Sequence, residues 1–256
     1  MARGVTRAIL DALERRGYTL LANWRVERFP MARCLRELFR LLEVDCVLDV
    51  GANVGQYRNF LRYEVGYEGR IVSFEPIPRN VEILARRAAT DPAWQIEPFA
   101  LGATAGSSSF NVTAETVFSS FLQPDRDAAD LFHGEAEVTQ RIEVEVRTLD
   151  DVLPELERRV GPRRVYLKLD TQGYDLEVVR GGRASMPRIC GLQTEASVRQ
   201  IYQGMTDYAT TIREFEELGF ELCGLFPVAS GTFPRLVEFD CVMVASRFAD
   251  AGRAPA

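Results

Sequence analysis

The sequence predicts an α/β protein: a mostly parallel sheet with helices on both faces, closed at its C-terminal end by an antiparallel hairpin. Three observations carry this. The apolar runs "CVLDVG" (46–51) and "RIVSFEP" (70–76) are each followed by a segment of helical spacing, the rhythm of a sheet wound on both faces. At 256 residues the chain is long enough to bury one sizeable core. Two late apolar runs, 220–228 and 236–245, are separated only by "ASGTFPR", so they must pair antiparallel.

In chain order, Ile9, Leu10 and Leu13, then Leu35, Leu38, Phe39 and Leu42, recur at helical spacing and predict a leader of two helices over 1–42, broken near Pro30. The main domain is expected over 43–250. Its first two strands are followed by helices at 55–64 and 78–90, and "WQIEPFALG" (94–102) reads as the third strand. Residues 103–149 break the rhythm: "SSSFNVT" and "RIEVEVRTLD" alternate apolar with polar groups around the loop "QPDRDAADLFHGE". That is a β-rich insertion, either a lid or plain decoration. The sheet resumes with "RVYLKLD" (164–170), a helix at about 173–185, "ICGLQTE" (189–195) and a helix at 207–218. A parallel sheet ending in an antiparallel hairpin differs from the nicotinamide-binding domain, whose strands all run one way. It is the Rossmann-like sheet of class I methyltransferases.

Composition narrows the function. The formal charge of −6 argues against nucleic-acid binding through phosphate neutralisation. Residues 1–40 hold nine arginines against four acids, so the remainder carries about −11; a basic leader suits an anionic surface or merely a solvated face. No apolar signal-peptide core or membrane-length span is present, and a cytoplasmic protein without stable membrane insertion is expected. The five cysteines lack metal-site spacing and are expected to be buried, reduced thiols. With His133 as the single histidine, no multi-histidine metal site exists. Against the many arginines stands one lysine, Lys168, which suggests a position that calls for an ammonium instead of a planar guanidinium.

The chemistry belongs at the carboxyl ends of the strands. "DVGANVG" (49–55) places Gly51 and Gly55, which allow a sharp turn close to a ligand, around Asn53, which tolerates a left-handed conformation. The spacing differs from the G-x-G-x-x-G of pyrophosphate binders. Asp49 at its entrance would repel a pyrophosphate and favour a cationic ligand such as S-adenosylmethionine. Glu75 ends the second strand about twenty residues later, where an acid accepts hydrogen bonds from both ribose hydroxyls; a helix-capping role is its alternative. Gln56 and Pro76 flank these groups. Ala100 and Leu101 end the third strand, with Phe99 or Leu101 as the apolar contact of an adenine ring.

Taken together, "VLDVGANVGQY", "SFEPIPRN", "ALG", "RTLDD", "LKLDTQGYDLEVVRGG" and "IYQGMTDYATTIREFEELGFEL…FDCVMV" resemble the FkbM family of S-adenosylmethionine-dependent methyltransferases over most of 43–245. The resemblance implies O-methylation of hydroxyls on sugars, glycans or polyketide-type molecules and leaves the acceptor open. The leader and the 123–137 loop lie outside it.

Methyl transfer to a hydroxyl requires alignment and removal of a proton. Asp170, ending the fourth strand beside the glycine turn, is the leading candidate base. Strand alternation puts Lys168 on its side, as a catalytic partner or a structural ion pair. Glu195, ending the fifth strand, and Asp240, beginning the last, converge on the same edge if those strands are antiparallel neighbours. Three carboxylates suit either Mg²⁺ or direct hydrogen bonding to a polyhydroxylated acceptor, and each also has a structural alternative. His133 is either a base carried by a closing loop or an inert surface group. Gln172, Tyr174 and Tyr202 are placed near the acceptor. A nitrogen or nucleic-acid-base methyltransferase is disfavoured by "LDTQGY" standing where N-P-P-Y would be. A silent cofactor-binding scaffold is the alternative from another class, and a homo-oligomer is compatible with everything above.

Overall fold

The computed structural model describes Leu13 and residues 15–125, 134–228 and 234–250. Seven strands form the main sheet: β1 (Cys46–Val50), β2 (Arg70–Phe74), β3 (Trp94–Glu97), β7 (Val165–Leu169), β8 (Ile189–Ser197), β9 (Phe220–Pro227) and β10 (Glu238–Ala245). Their order is β3-β2-β1-β7-β8-β10-β9. All neighbours are parallel up to β8, and β10 runs antiparallel between β8 and β9. The strand order reverses at β1, so the crevice between the ends of β1 and β7 is where a ligand belongs.

Residues alternate between two cores. Leu48, Val50, Leu167 and Leu169 face one, with Leu149, Val152, Leu153 and Leu156 of α4 (Leu149–Val160), Leu176 and Val179 of α5 (Asp175–Arg180) and Phe215 of α6 (Tyr208–Glu217). Val47, Ile71 and Tyr166 face the other. Against these pack Leu35, Phe39 and Leu42 of α1 (Phe29–Leu42), Phe60 of α2 (Gln56–Phe60, continued by a π turn at Leu61–Val65) and Leu84 of α3 (Pro78–Ala88). A short α7 (Ser246–Ala249) follows the last strand.

Four expectations change. Pro30 starts α1 in its first turn instead of breaking it, because a proline there loses no helix hydrogen bond; the first leader helix expected before it lies largely outside the described residues. The single strand expected over 94–102 is two, because Pro98 cannot donate to a ladder. Beyond it β4 (Ala100–Leu101) leaves the main sheet and pairs with β6 (Val138–Arg147). With β5 (Gly106–Thr113) these make a second sheet, ordered β4-β6-β5. The helix expected at 173–185 runs only over Asp175–Arg180, ended by the pair Gly181–Gly182. Of the cysteines, all free, Cys46, Cys190 and Cys241 are buried, but Cys223 is exposed because β9 is an edge strand. Among the described residues no helix is long and apolar enough to cross a membrane.

Candidate active site

A cavity of about 590 Å³ opens along the carboxyl ends of β2, β1, β7 and β8 and beside the start of β10. The turn after β1 forms its floor. Gly51 has φ +83°, and a Cβ there would lie 2.0 Å from the carbonyl oxygen of Asp170, so no other residue lets the β1 turn approach β7 this closely. Asn53 adopts the left-handed conformation expected of it, φ 48°. Gly55, φ +89°, lies off the cavity wall: a Cβ there would meet the Trp94 ring at 2.8 Å, so this glycine serves helix packing instead of ligand approach.

Asp49 also lies off the wall. It is buried beneath the turn, where its Oδ2 accepts from Ser73 Oγ at 2.7 Å, and Ser73 Oγ accepts from Trp94 Nε1 at 2.9 Å. Burial pushes its pKa up to about 6, against the opposing pull of the Ser73 hydrogen bond and the neighbouring Lys168. It sits opposite Lys168 across the β1–β7 pairing.

Glu75 lines the cavity. Its Oε2 accepts from the Asn53 amide at 2.8 Å and its Oε1 from the Ile77 amide at 2.9 Å, which ties the β1 turn to the end of β2. Burial raises it to about 7, less than it would without those hydrogen bonds. Gln56, Pro76, Ala100 and Leu101 line the same end, whereas Phe99 is turned into the core against Phe74, ring centroids 5.7 Å apart. Of the two, Leu101 lines the cavity and Phe99 does not; Ile77, Phe110, Phe118 and Phe121 add further apolar wall.

The polar centre lies one strand further. Lys168 is buried, its ammonium 3.1 Å from Asp170 Oδ2 and 5.5 Å from the centre of the Tyr57 ring. Burial opposes its charge, yet Asp170, Asp240, Glu195 and Asp175 together hold its pKa above the usual lysine value. Asp170 lines the cavity with its side chain 37% exposed. Gln172, at φ 54°, donates from Nε2 to Asp170 Oδ1 at 2.9 Å and to Glu195 Oε2 at 3.0 Å, while its Oε1 accepts from Tyr202 Oη at 2.9 Å. Asp175 accepts from the Thr171 amide at 2.8 Å and so pins the turn that presents Gln172. Asp240 pairs with Glu195 across the β8–β10 ladder, but its Oδ1 is taken by Gln193 Nε2 at 2.7 Å and it does not reach the cavity wall. Tyr174 packs against Phe121 with the rings tilted, centroids 4.7 Å apart, also off the wall. His133 lies outside the described residues.

Several wall residues escaped the sequence reading, among them Glu135, Glu238 and a turn of the insertion. Glu238, at the start of β10, accepts from Ser197 Oγ at 2.8 Å; its alternation with Asp240 along the strand was the available signal. Thr116, Val117 and Phe118 form a 3₁₀ turn of the insertion, and Thr116 Oγ1 donates to Asn53 Oδ1 at 2.9 Å. No pattern in the sequence places that turn over the cavity.

The acids do not fit a metal centre as arranged. Gln172 places its amide between Asp170 and Glu195, Asp240 is turned to Gln193, and among the described residues no three acidic, cysteine or histidine side chains are grouped to hold an ion. The charge facing Asp170 is the Lys168 ammonium.

A β1 glycine turn, an acid ending β2 and an antiparallel strand inserted between the last two positions define a class I methyltransferase. The model of the methyltransferase FkbM domain matches residues 49–222, and the chain belongs to that family, whose methyl donor is S-adenosylmethionine. Comparison with curated protein sequences finds no match. Among solved structures, the chain is similar to fibrillarin of Aeropyrum pernix with natively bound S-adenosylmethionine, at 16% identity and TM-score 0.44, covering 84% of this chain and 74% of that one. It is also similar to magnesium protoporphyrin IX methyltransferase of Synechocystis, at 11% identity and TM-score 0.47, covering 90% and 87%.

Proposed function

We propose that this methyltransferase is an O-methyltransferase acting on a hydroxyl of a sugar, glycan or polyketide-type small molecule in the cytoplasm, with residues 43–250 as the catalytic unit. Glu75 would accept from the ribose hydroxyls of S-adenosylmethionine, Leu101 would face its adenine, and Gly51 to Asn53 would form the floor beneath it. Gln56, Pro76 and Ala100 complete that half of the wall.

The observation that carries this reading is the setting of Asp170. It stands at the cavity edge, beside the glycine turn where the methyl group must lie, with Lys168 and Gln172 each holding one carboxylate oxygen. The bound donor would supply an already activated methyl group, and a hydroxyl that accepts it must give up its proton. Asp170 takes that proton. Lys168 and Gln172 fix the carboxylate in place.

Incubation with methyl-labelled cofactor and a panel of hydroxylated acceptors, read by mass spectrometry, tests it. Asp170→Asn is expected to lower kcat by about a hundredfold or more while calorimetry shows cofactor affinity unchanged within about twofold. An Asp170→Asn variant that turns over normally removes Asp170 from the mechanism. A wild-type protein that labels nitrogen and not oxygen removes O-methylation.

A further inference from the structure

The cavity has a charge pattern of which the methyl donor would use only one end. Among the described residues its wall carries five carboxylates, Glu75, Glu135, Asp170, Glu195 and Glu238, and no lysine, arginine or histidine, in a chain with 31 basic residues. Glu75 and Glu238 stand on strands four places apart in the sheet, which at strand spacing separates them by roughly 19 Å. A donor with its ribose at β2 and its methyl group between β1 and β7 leaves the β8–β10 end for the acceptor.

At that end the carboxylates outnumber their partners. The buried ammonium is engaged by Asp170. Glu195 has one amide hydrogen bond, to Oε2 from Gln172, and Glu238 has one hydroxyl hydrogen bond, to Oε1 from Ser197. Asp240 lies directly opposite Glu195 in the ladder, a pairing of like charges that costs stability unless a cation intervenes. Burial first, then mutual repulsion with the other acids, raises both glutamates, Glu238 to about 7 and Glu195 well above its ordinary range. A phosphate, sulfate or carboxylate entering here would be repelled by every charged group on the wall. A protonated amine would relieve all of them. Around this end Val228 and Val237 give the wall an apolar rim, which strengthens a charge interaction by excluding water.

We propose that the acceptor carries a protonated amine close to the hydroxyl that is methylated, as an amino sugar or amino alcohol does, and that Glu195 and Glu238 hold this ammonium. The inference rests on the reading of the cavity as donor and acceptor site. It adds the acceptor's charge, and it assigns Glu195 and Glu238 to recognition, with proton removal left to Asp170.

The test uses the full chain saturated with S-adenosylhomocysteine and calorimetric titration at pH 7.5 with matched probes: glucosamine, galactosamine and 2-aminocyclohexanol, each beside its N-acetyl form, and glucuronic and galacturonic acids. At least one amine is expected to bind ten or more times as tightly as its N-acetyl form, with the acids not binding. The Glu195→Gln/Glu238→Gln double variant is expected to lose that preference while still binding S-adenosylhomocysteine, which shows it folded. If no amine binds, or amines bind no better than their acetylated or acidic counterparts, the inference falls. The same probes with methyl-labelled cofactor separate the two readings. Oxygen methylation without preference for amines overturns only the ammonium site, and amine-selective binding with the label on nitrogen overturns only O-methylation.

Discussion

The acid at the entrance of the glycine turn and the acid closing β2 have divided the work. Asp49 is spent inside the protein, on the Ser73 hydroxyl and beside Lys168, whose charge draws its pKa down against burial, and it lies behind the cavity wall. Glu75 is the one at the cavity. Because burial raises it to about 7, its carboxyl changes charge near neutrality. A ribose hydroxyl donates its hydrogen, so it prefers the ionised carboxylate to the protonated one. Donor affinity is therefore expected to rise by about tenfold between pH 6 and pH 8 and then level off, with proton release on binding below pH 7. Glu75→Gln is expected to weaken binding and flatten that profile. Calorimetry in two buffers of different ionisation enthalpy measures both effects, and a wild-type affinity constant across this range would mean that Glu75 does not hold the ribose.

At the scale of elements, the insertion contributes a turn to the cavity wall. Its 3₁₀ turn at Thr116–Phe118 hangs over the floor, with the Thr116 hydroxyl on Asn53 and the Phe118 carbonyl sharing the single Tyr202 Oη hydrogen with Gln172 Oε1, each oxygen 2.9 Å away. Thr116→Val keeps the shape and removes the hydroxyl, which leaves Asn53 Oδ1 with the Asn80 amide alone, at 3.1 Å. Denaturation is expected to show a loss of about 1 kcal/mol and titration with S-adenosylhomocysteine a several-fold weaker affinity; unchanged affinity would mark the turn as a passive cover. Such contacts show how far the sequence could be read. β1, β2, β7 and β8 were legible because strands buried on both faces are continuous apolar runs, and the β9–β10 hairpin because its connection is too short for a crossover. Asp170 and Lys168 followed from alternation on one strand. The split between β3 and β4 was hidden by reading through Pro98, and α4 because Pro154 interrupts its otherwise regular Leu149, Val152, Leu153, Leu156 pattern. The bridge from Tyr202 through Gln172 to Asp170 and Glu195 joins three separate elements. Only the tertiary arrangement brings it together, so no spacing in the chain announces it.

Across the whole molecule, the carboxyl edge of the sheet stores a cost that pH can release. Asp49, at about 6, and Glu75 and Glu238, at about 7, all lie above their ordinary values because burial disfavours their charged forms, and Asp175, Glu195 and Asp240 are shifted the same way. In the unfolded chain these acids titrate near pH 4. A raised acid contributes stability that is complete below its unfolded value and disappears as pH climbs through its folded value. The ligand-free protein should therefore gain stability as pH falls from 8 to about 5. Asp91 works in the opposite sense: burial would raise it, but the hydrogen bonds and charges of Arg62 and Arg58 win and hold it low. Its contribution is present above pH 4 and is lost as pH falls through its folded value, which turns the trend over in strong acid. Thermal melts of the free protein are expected to show Tm rising by several degrees from pH 8 to a maximum near pH 5, at about 2–4 °C per kcal/mol for a chain of this size. Saturating S-adenosylmethionine should reverse the slope between pH 6 and 8, because a cation and two hydroxyl donors stabilise the ionised acids. A Tm that falls steadily from pH 8 to 5 without ligand would show that the acidic edge of the sheet is already compensated, and would leave its carboxylates no charge to offer a donor or an acceptor.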